Sequence, residues 1–240
     1  MPMTPLTEQR NPRTADIDLA DPLAIVDMLG AEDRLVPQAV AEQREAIARV
    51  IVATERAFRA GGRLFYVGAG TSGRLGVLDA SEMAPTFGAE HTLVQGIIAG
   101  GVAALTRSQE GAEDDLIDGA RQIDASNVWS EDVVIGIAAS GTTPWVRTAL
   151  ARARERGATT ALIACSPPPD DMLAVVNLPI VLDVGPEAIT GSTRMKAGTA
   201  TKLVLNTITT GAMVRVGKTY GNLMVDLRAT NAKLRDRSER

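Results

Sequence analysis

The sequence predicts a doubly wound α/β domain, a five-stranded parallel sheet flanked by helices, with long helices near both ends. Three observations predict it. Five short aliphatic runs recur at 63–68, 92–98, 132–139, 159–165 and 178–184. Helical stretches fall between them, around 72–80, 111–123 and 143–156. Aromatic residues are only 3% of the chain, so the core must be built from Ala, Val, Leu and Ile. Strands buried on both faces of a parallel sheet read as aliphatic runs of this kind, and strand–helix alternation implies right-handed crossovers.

Taken in order, residues 1–32 are punctuated by Pro2, Pro5, Pro12 and Pro22 and predict an arm lying over the domain. From about Asp33 a long helix is expected. Val36, Val40, Ile47, Val50, Ile51, Thr54 and Phe58 recur at helical spacing, and Gly61-Gly62 stops it. The alternating strands and helices follow, and a last long helix is expected from about Thr193 to Val216. The tail at 227–240 is charged. Without an internal repeat or low-complexity linker, residues 33–240 read as one domain.

Composition narrows the function. A net charge of −4 argues against nucleic acid or an anionic membrane as partner, so an anionic ligand must be held by local geometry. Cys165 is the only cysteine and ends an apolar run, which points to an inert buried thiol in a reducing compartment. One Cys and one His (His91) cannot build a usual zinc site or a Cys–His pair with an orienting third group. The N-terminus lacks the apolar stretch of a signal peptide, and no run approaches the ~18 apolar residues of a membrane span. A soluble cytoplasmic protein is expected.

Two loops carry the chemistry. Gly68-Ala69-Gly70-Thr71-Ser72-Gly73 is a GxGxxG between a strand and a helix. The obvious ligand is a dinucleotide, but the acidic residue that should end the second strand is missing: that strand runs into Ile98-Ala99-Gly100-Gly101, and Glu90 precedes it. The alternative is a phosphate on the free N–H groups of the helix start, with Thr71 and Ser72 adding donors. Either hydroxyl could instead simply cap the helix. A second loop, Ser140-Gly141-Thr142-Thr143, follows the third strand, and Pro144 opens the next helix. If the strand order is 2-1-3-4-5, both loops frame the crevice at the topological switch point. Two hydroxyl-rich helix starts with few cations suit a phosphate monoester.

At these residues the chain resembles the N-acetylmuramic acid 6-phosphate etherase family, which uses the sugar-isomerase (SIS) fold. The resemblance is carried by GAGTSGRLGVLDASE (68–82), APTFG (84–88), IAGG (98–101), EGAEDD (110–115), GIAASG (136–141) and TGSTRMKAGTATKLVLN (190–206), with TEQRN (7–11) and GNLMVD (221–226) near the ends. It implies a carbon–oxygen lyase acting on a sugar phosphate, homodimeric and needing neither metal nor cofactor. By the family's pattern Glu82 and Glu113 are the catalytic pair, Glu82 protonating departing lactate and Glu113 acting as base at carbon 2. The alternatives are a solvated helix-end carboxylate for Glu82 and a solvated acidic run for Glu113. Gly70, Thr71, Ser72, Ser140, Gly141, Thr142 and Thr143 are the expected substrate cradle. Thr190-Gly191-Ser192-Thr193 is expected to open the last helix toward the ligand, with Ser192 and Thr193 as contacts and Lys196 reaching an anionic group or lying on the surface.

The chain also departs from the family. Met83-Ala84 stands where Cys-Pro is usual, and Thr142-Thr143-Pro144-Trp145 where Arg-Thr-Pro-Tyr is usual, so one loop lacks a cation. Ser166-Pro167-Pro168-Pro169 replaces an Asn-containing turn. The family normally continues as a small helical domain, which this chain is expected to lack. An aldose–ketose isomerase or a non-catalytic sugar-phosphate sensor on the same fold are the competing readings. Retention of both glutamates favours elimination.

Overall fold

Proline and aspartate, more than apolar periodicity, shape the start of the chain. The computed structural model describes residues 4–226, so the tail at 227–240 lies outside the described residues. Three 3-10 turns, Leu6–Glu8, Pro12–Thr14 and Ile17–Leu19, lead into helix α1 (Pro22–Asp33). The sequence predicts only an arm here. The signal was the Asp-Pro pair: Asp21 caps the helix by accepting from Ala24 N at 2.9 Å, and Pro22 takes the first helical position. Helix α1 stops at Asp33 because Pro37, four residues on, has no N–H to offer the Asp33 carbonyl.

Helices α2 (Val36–Glu42) and α3 (Arg44–Arg59) stand where one long helix is expected. They break at Gln43 (φ −94, ψ 12), where neither Pro nor Gly marks the site. The buried face of α3 is the expected one, with Ile47, Val50 and Thr54 inward. Gly61, at φ 79, and the Gly62 N–H, which donates to Ala57 O at 2.8 Å, close it.

The alternation then runs β1 (Leu64–Gly68), α4 (Gly70–Ser81), α5 (Met83–Phe87), β2 (Val94–Ile98), α6 (Asp118–Ala125), β3 (Val133–Ile137), α7 (Pro144–Glu155) and β4 (Thr159–Ala164). It continues through α8 (Asp170–Leu173), β5 (Leu178–Val181), α9 (Lys196–Arg215) and a hairpin of β6 (Thr219–Tyr220) with β7 (Leu223–Met224). The sheet has five strands, every pair parallel, as the sequence predicts; its order is β2-β1-β3-β4-β5, the condition under which the two loops share a crevice. Gly68 is in register with Ile98 on one side and Ile137 on the other. The loops after β1, β2 and β3 therefore leave the sheet at one edge.

Successive strand residues point to opposite faces, and each face has its own core. Tyr66, Ile135 and Ile163 pack with Val50, Val204 and Ile208 of α3 and α9. Phe65, Val67, Val134 and Leu162 pack with Trp145 and Leu150 of α7 and Ile123 of α6. Each such side chain, fully withdrawn from water, contributes about 1.5–3 kcal/mol.

Helix α4 is pressed onto the sheet by missing side chains. A Cβ on Gly73 would lie 2.6 Å from both Gly68 O and Ile98 Cγ1, so only glycine allows this approach. Gly70, at φ 53, supplies the turn from β1 into α4.

Candidate active site

The first turn of α4 is better exposed to a ligand than the sequence predicts. The helix begins at Gly70, so Thr71 and Ser72 sit inside its first turn, and no side chain caps it. The alternative in which either hydroxyl caps the helix is not realised. Free N–H groups, the positive end of the helix dipole and two partly buried hydroxyls therefore share one corner.

The second loop lies beside it because β3 neighbours β1. Ser140 Oγ and Thr142 Oγ1 are 2.9 Å apart, and Thr142 N donates to Ser140 Oγ at 3.2 Å. Gly141, at φ 77, turns the chain against Pro168 and Ser166. Thr143 precedes Pro144 at the start of α7 without a side-chain cap.

The third segment differs from expectation. Helix α9 starts at Lys196, not Thr193, and its N-terminus is already occupied: the Glu187 carboxylate accepts from Lys196 N at 3.0 Å and from Ala197 N at 2.9 Å. Burial pushes the Glu187 carboxyl above its usual range, opposed by those two N–H groups. Ser192 and Thr193 lie in the turn before the helix, where Thr193 N donates to Gly191 O at 3.0 Å. That turn still borders the crevice, since a Cβ on Gly198 would meet Thr193 O at 3.4 Å and Thr71 Cγ2 at 3.6 Å.

Lys196 is not a surface residue: its ammonium is turned onto a buried carboxylate. It is 1% exposed and its Nζ lies 2.5 Å from Glu32 Oε2. Glu32 is equally buried and also accepts from Arg13 Nη2 at 2.9 Å and Asn11 Nδ2 at 2.8 Å. The cluster ties the N-terminal segment and α1 to the start of α9. Gly191 N completes the fastening by donating to Thr7 O at 3.1 Å. The Pro- and Asp-punctuated segment thus crosses the carboxyl ends of β4 and β5, where Thr7 N donates to Ser166 Oγ and Asn11 Nδ2 to Pro186 O.

Glu113 follows Gly111 (φ 73) in a 3-10 turn, Ala112–Asp114, where the sequence predicts continuous helix. The acidic run is divided by role. Asp115 Oδ1 accepts from the backbone N–H groups of Ile117 and Asp118 at 2.9 Å, and Asp118 accepts from Trp145 Nε1 at 2.9 Å. Glu113 makes no hydrogen bond among the described residues and lines a cavity of about 380 Å³ with Ala69, Gly70, Arg74, Ala99 and Glu110. A larger cavity of about 950 Å³ lies at the opposite edge of the sheet, lined by α3, Ser130, Thr159 and Leu178, and holds none of these residues.

Glu82 is exposed at the junction of α4 and α5. One turn earlier Asp79 is buried, accepting from Tyr66 Oη at 2.8 Å, Asn206 Nδ2 at 2.6 Å and Thr209 Oγ1 at 3.3 Å. Burial raises the Asp79 carboxyl above its ordinary range, against those three donors. This knot ties the last turn of α4 to β1 and α9 and so fixes the place of Glu82. Sequence reasoning misses it, because nothing local marks Asp79 as inward.

Glu82 and Glu113 are not brought together within one chain. Glu113 lies beside the first turn of α4, and Glu82 follows its last. Twelve residues of helix separate Gly70 from Glu82, roughly 18 Å along the axis.

Comparisons with known proteins agree with this architecture. A family model described as glucokinase regulatory protein N-terminal SIS domain matches residues 45–154. The N-acetylmuramic acid 6-phosphate etherase of Gloeobacter violaceus is 56% identical over 235 residues, covering 98% of this chain and 76% of that protein. The etherase of Yersinia pestis is 52% identical over 234 residues, covering 97% of this chain and 79% of its own. Among solved structures, a phosphoheptose isomerase from Francisella tularensis shares the fold at a TM-score of 0.58 and 16% identity, covering 78% of this chain and 97% of its own. The Vibrio vulnificus NanR protein complexed with ManNAc-6P does so at 0.55 and 14%, covering 95% and 70%.

Proposed function

The chain belongs to the N-acetylmuramic acid 6-phosphate etherase family, and from that premise we propose how its residues cleave the D-lactyl ether of that sugar phosphate. The products are N-acetylglucosamine 6-phosphate and D-lactate. In the ring-opened sugar the carbon 2 proton is acidified by the neighbouring aldehyde. Glu113 removes it, the carbon 3–oxygen bond breaks, and Glu82 gives a proton to the departing lactate oxygen. Water then adds across the carbon 2–carbon 3 double bond, leaving its oxygen on carbon 3 and a proton on carbon 2. Such general acid–base steps contribute typically 10²–10⁴-fold each.

The observation that carries this reading is the free Glu113 carboxylate in a cavity beside the uncapped start of α4. The N–H groups and hydroxyls there, with the Ser140–Thr143 loop across the crevice, suit the phosphate. Ser192 and Thr193 border the same crevice.

The separation of the two glutamates supports a homodimer in which each site takes Glu113 from one copy and Glu82 from the other. Leu78, 51% exposed, stands one turn before Glu82 on the same face of α4 and offers that copy an apolar contact. A cytoplasmic place of action completes the reading; no helix among the described residues is long and apolar enough to cross a membrane.

Turnover in heavy-oxygen water tests it. D-lactate should appear together with sugar labelled at carbon 3. Sugar phosphate bound without lactate release would count against catalysis by this chain.

A further inference from the structure

The substrate of the proposed reaction brings two anions, a phosphate at carbon 6 and the carboxylate of the lactyl group. The phosphate has a neutral cradle of N–H groups and hydroxyls. The carboxylate lies only two bonds from the ether oxygen, so it must sit near the glutamates. Glu110 and Glu113 line that cavity together and would repel it. A cation is needed: among the described residues Lys196 is sealed against Glu32, the loop after β3 carries Thr142, and the cavity's lining holds one arginine.

We infer that Arg74 holds the lactyl carboxylate and makes the site selective for an acidic ether. Arg74 stands one turn into α4 and is the cation lining the Glu113 cavity. It is partly buried, and its Nε donates to Leu105 O at 3.0 Å, which fixes the plane of the guanidinium. Its two Nη groups make no hydrogen bond and no ion pair among the described residues, leaving their edge for a carboxylate. A guanidinium fork matches a carboxylate in a two-bond geometry that lysine cannot reproduce. Leu105 and Glu113 lie on the same excursion between β2 and α6, so the contact that orients Arg74 also holds this excursion beside α4.

The inference rests on the etherase reading, but its test does not require turnover. The probes are two non-cleavable analogues of N-acetylmuramic acid 6-phosphate with CH2 in place of the ether oxygen, one keeping the carboxylate and the other carrying a carboxamide. Calorimetry on the wild type should find the carboxylate analogue bound roughly 10- to 100-fold more tightly, the range of a charge-assisted pair. Arg74→Gln should bind both alike, and Arg74→Lys should keep part of the preference. If Arg74→Gln weakens both analogues equally and keeps the preference, Arg74 only fastens the loop and the inference fails. A wild type that does not distinguish the analogues also overturns it. Lactate release by the wild type, measured separately, decides the etherase reading whichever way the analogues behave.

Discussion

Lys196 Nζ lies 2.5 Å from Glu32 Oε2, with both side chains almost wholly withdrawn from solvent. A buried pair of this kind adds little over a well-packed apolar pair, but breaking it strands a charge. Glu32→Gln leaves Lys196 and Arg13 facing a neutral amide and should lower stability by about 3–5 kcal/mol. Urea unfolding measures this directly. The double change Glu32→Leu with Lys196→Met should recover much of the loss, and no recovery would mean that the charges themselves hold the arm.

The same carboxylate sets an acid limit. Arg13 above all, then Lys196 and Asn11, hold the Glu32 carboxyl down to about 2 from an ordinary 4.5, against the opposing effect of burial. A carboxyl lowered on folding stabilises the protein fully above its unfolded value, and this is lost as pH falls through the folded value. The contribution is at most about 3 kcal/mol, fading from about pH 4.5 toward 2. Asp79 and Glu187, both raised by burial, act in the opposite sense and are relieved by protonation. Unfolding midpoints across this window should fall more steeply in the wild type than in Glu32→Gln; parallel curves would remove Glu32 as the cause.

Glu82→Gln and Glu113→Gln should each abolish most lactate release, by about 10²–10⁴-fold. Both side chains are exposed, so stability should move by no more than about 0.5 kcal/mol. If each site draws on two copies, co-expressing the two variants rebuilds one complete site in every mixed dimer. Random pairing then restores about a quarter of wild-type activity in a two-fold dimer. Activity no higher than that of either variant alone would place both glutamates in one chain's site.

Gly73→Ala would set a methyl 2.6 Å from Gly68 O, a backbone atom that cannot step aside. Overpacking of this kind costs about 1–3 kcal/mol. Thermal unfolding should show the loss, and phosphate affinity should fall with it as the start of α4 lifts from β1. Unchanged stability would mean that α4 is less tightly seated than the geometry implies.

Cys165 is fully buried, and burial, followed by the nearby Glu187 charge, pushes its thiol up to about 12. A thiol reagent at neutral pH should leave the folded protein untouched and label it fully in denaturant. Rapid labelling of the native protein would show that the end of β4 opens.

The sequence alone determined the five-stranded parallel sheet, because buried parallel strands announce themselves as aliphatic runs; it left the strand order as a condition, and the structure supplies it as β2-β1-β3-β4-β5. The sequence marked Gly68–Gly73 and Ser140–Thr143 as ligand loops for a local reason, turn glycines and hydroxyls next to strands; that the two share one crevice comes from β1 and β3 being neighbours. It singled out Glu82 and Glu113 through the resemblance of the segments around them. Where they stand relative to each other was decided only by the tertiary structure, which puts them at the two ends of α4. The fate of Lys196 was decided there too. A lysine one turn into a helix reads the same whether it meets a ligand or a buried carboxylate, and Glu32, which claims it, lies 164 residues away in the chain. Asp79 and Arg74 are the same case: whether a charged side chain is buried, paired or free depends on which distant segments close around it. Local periodicity carries no record of that closure.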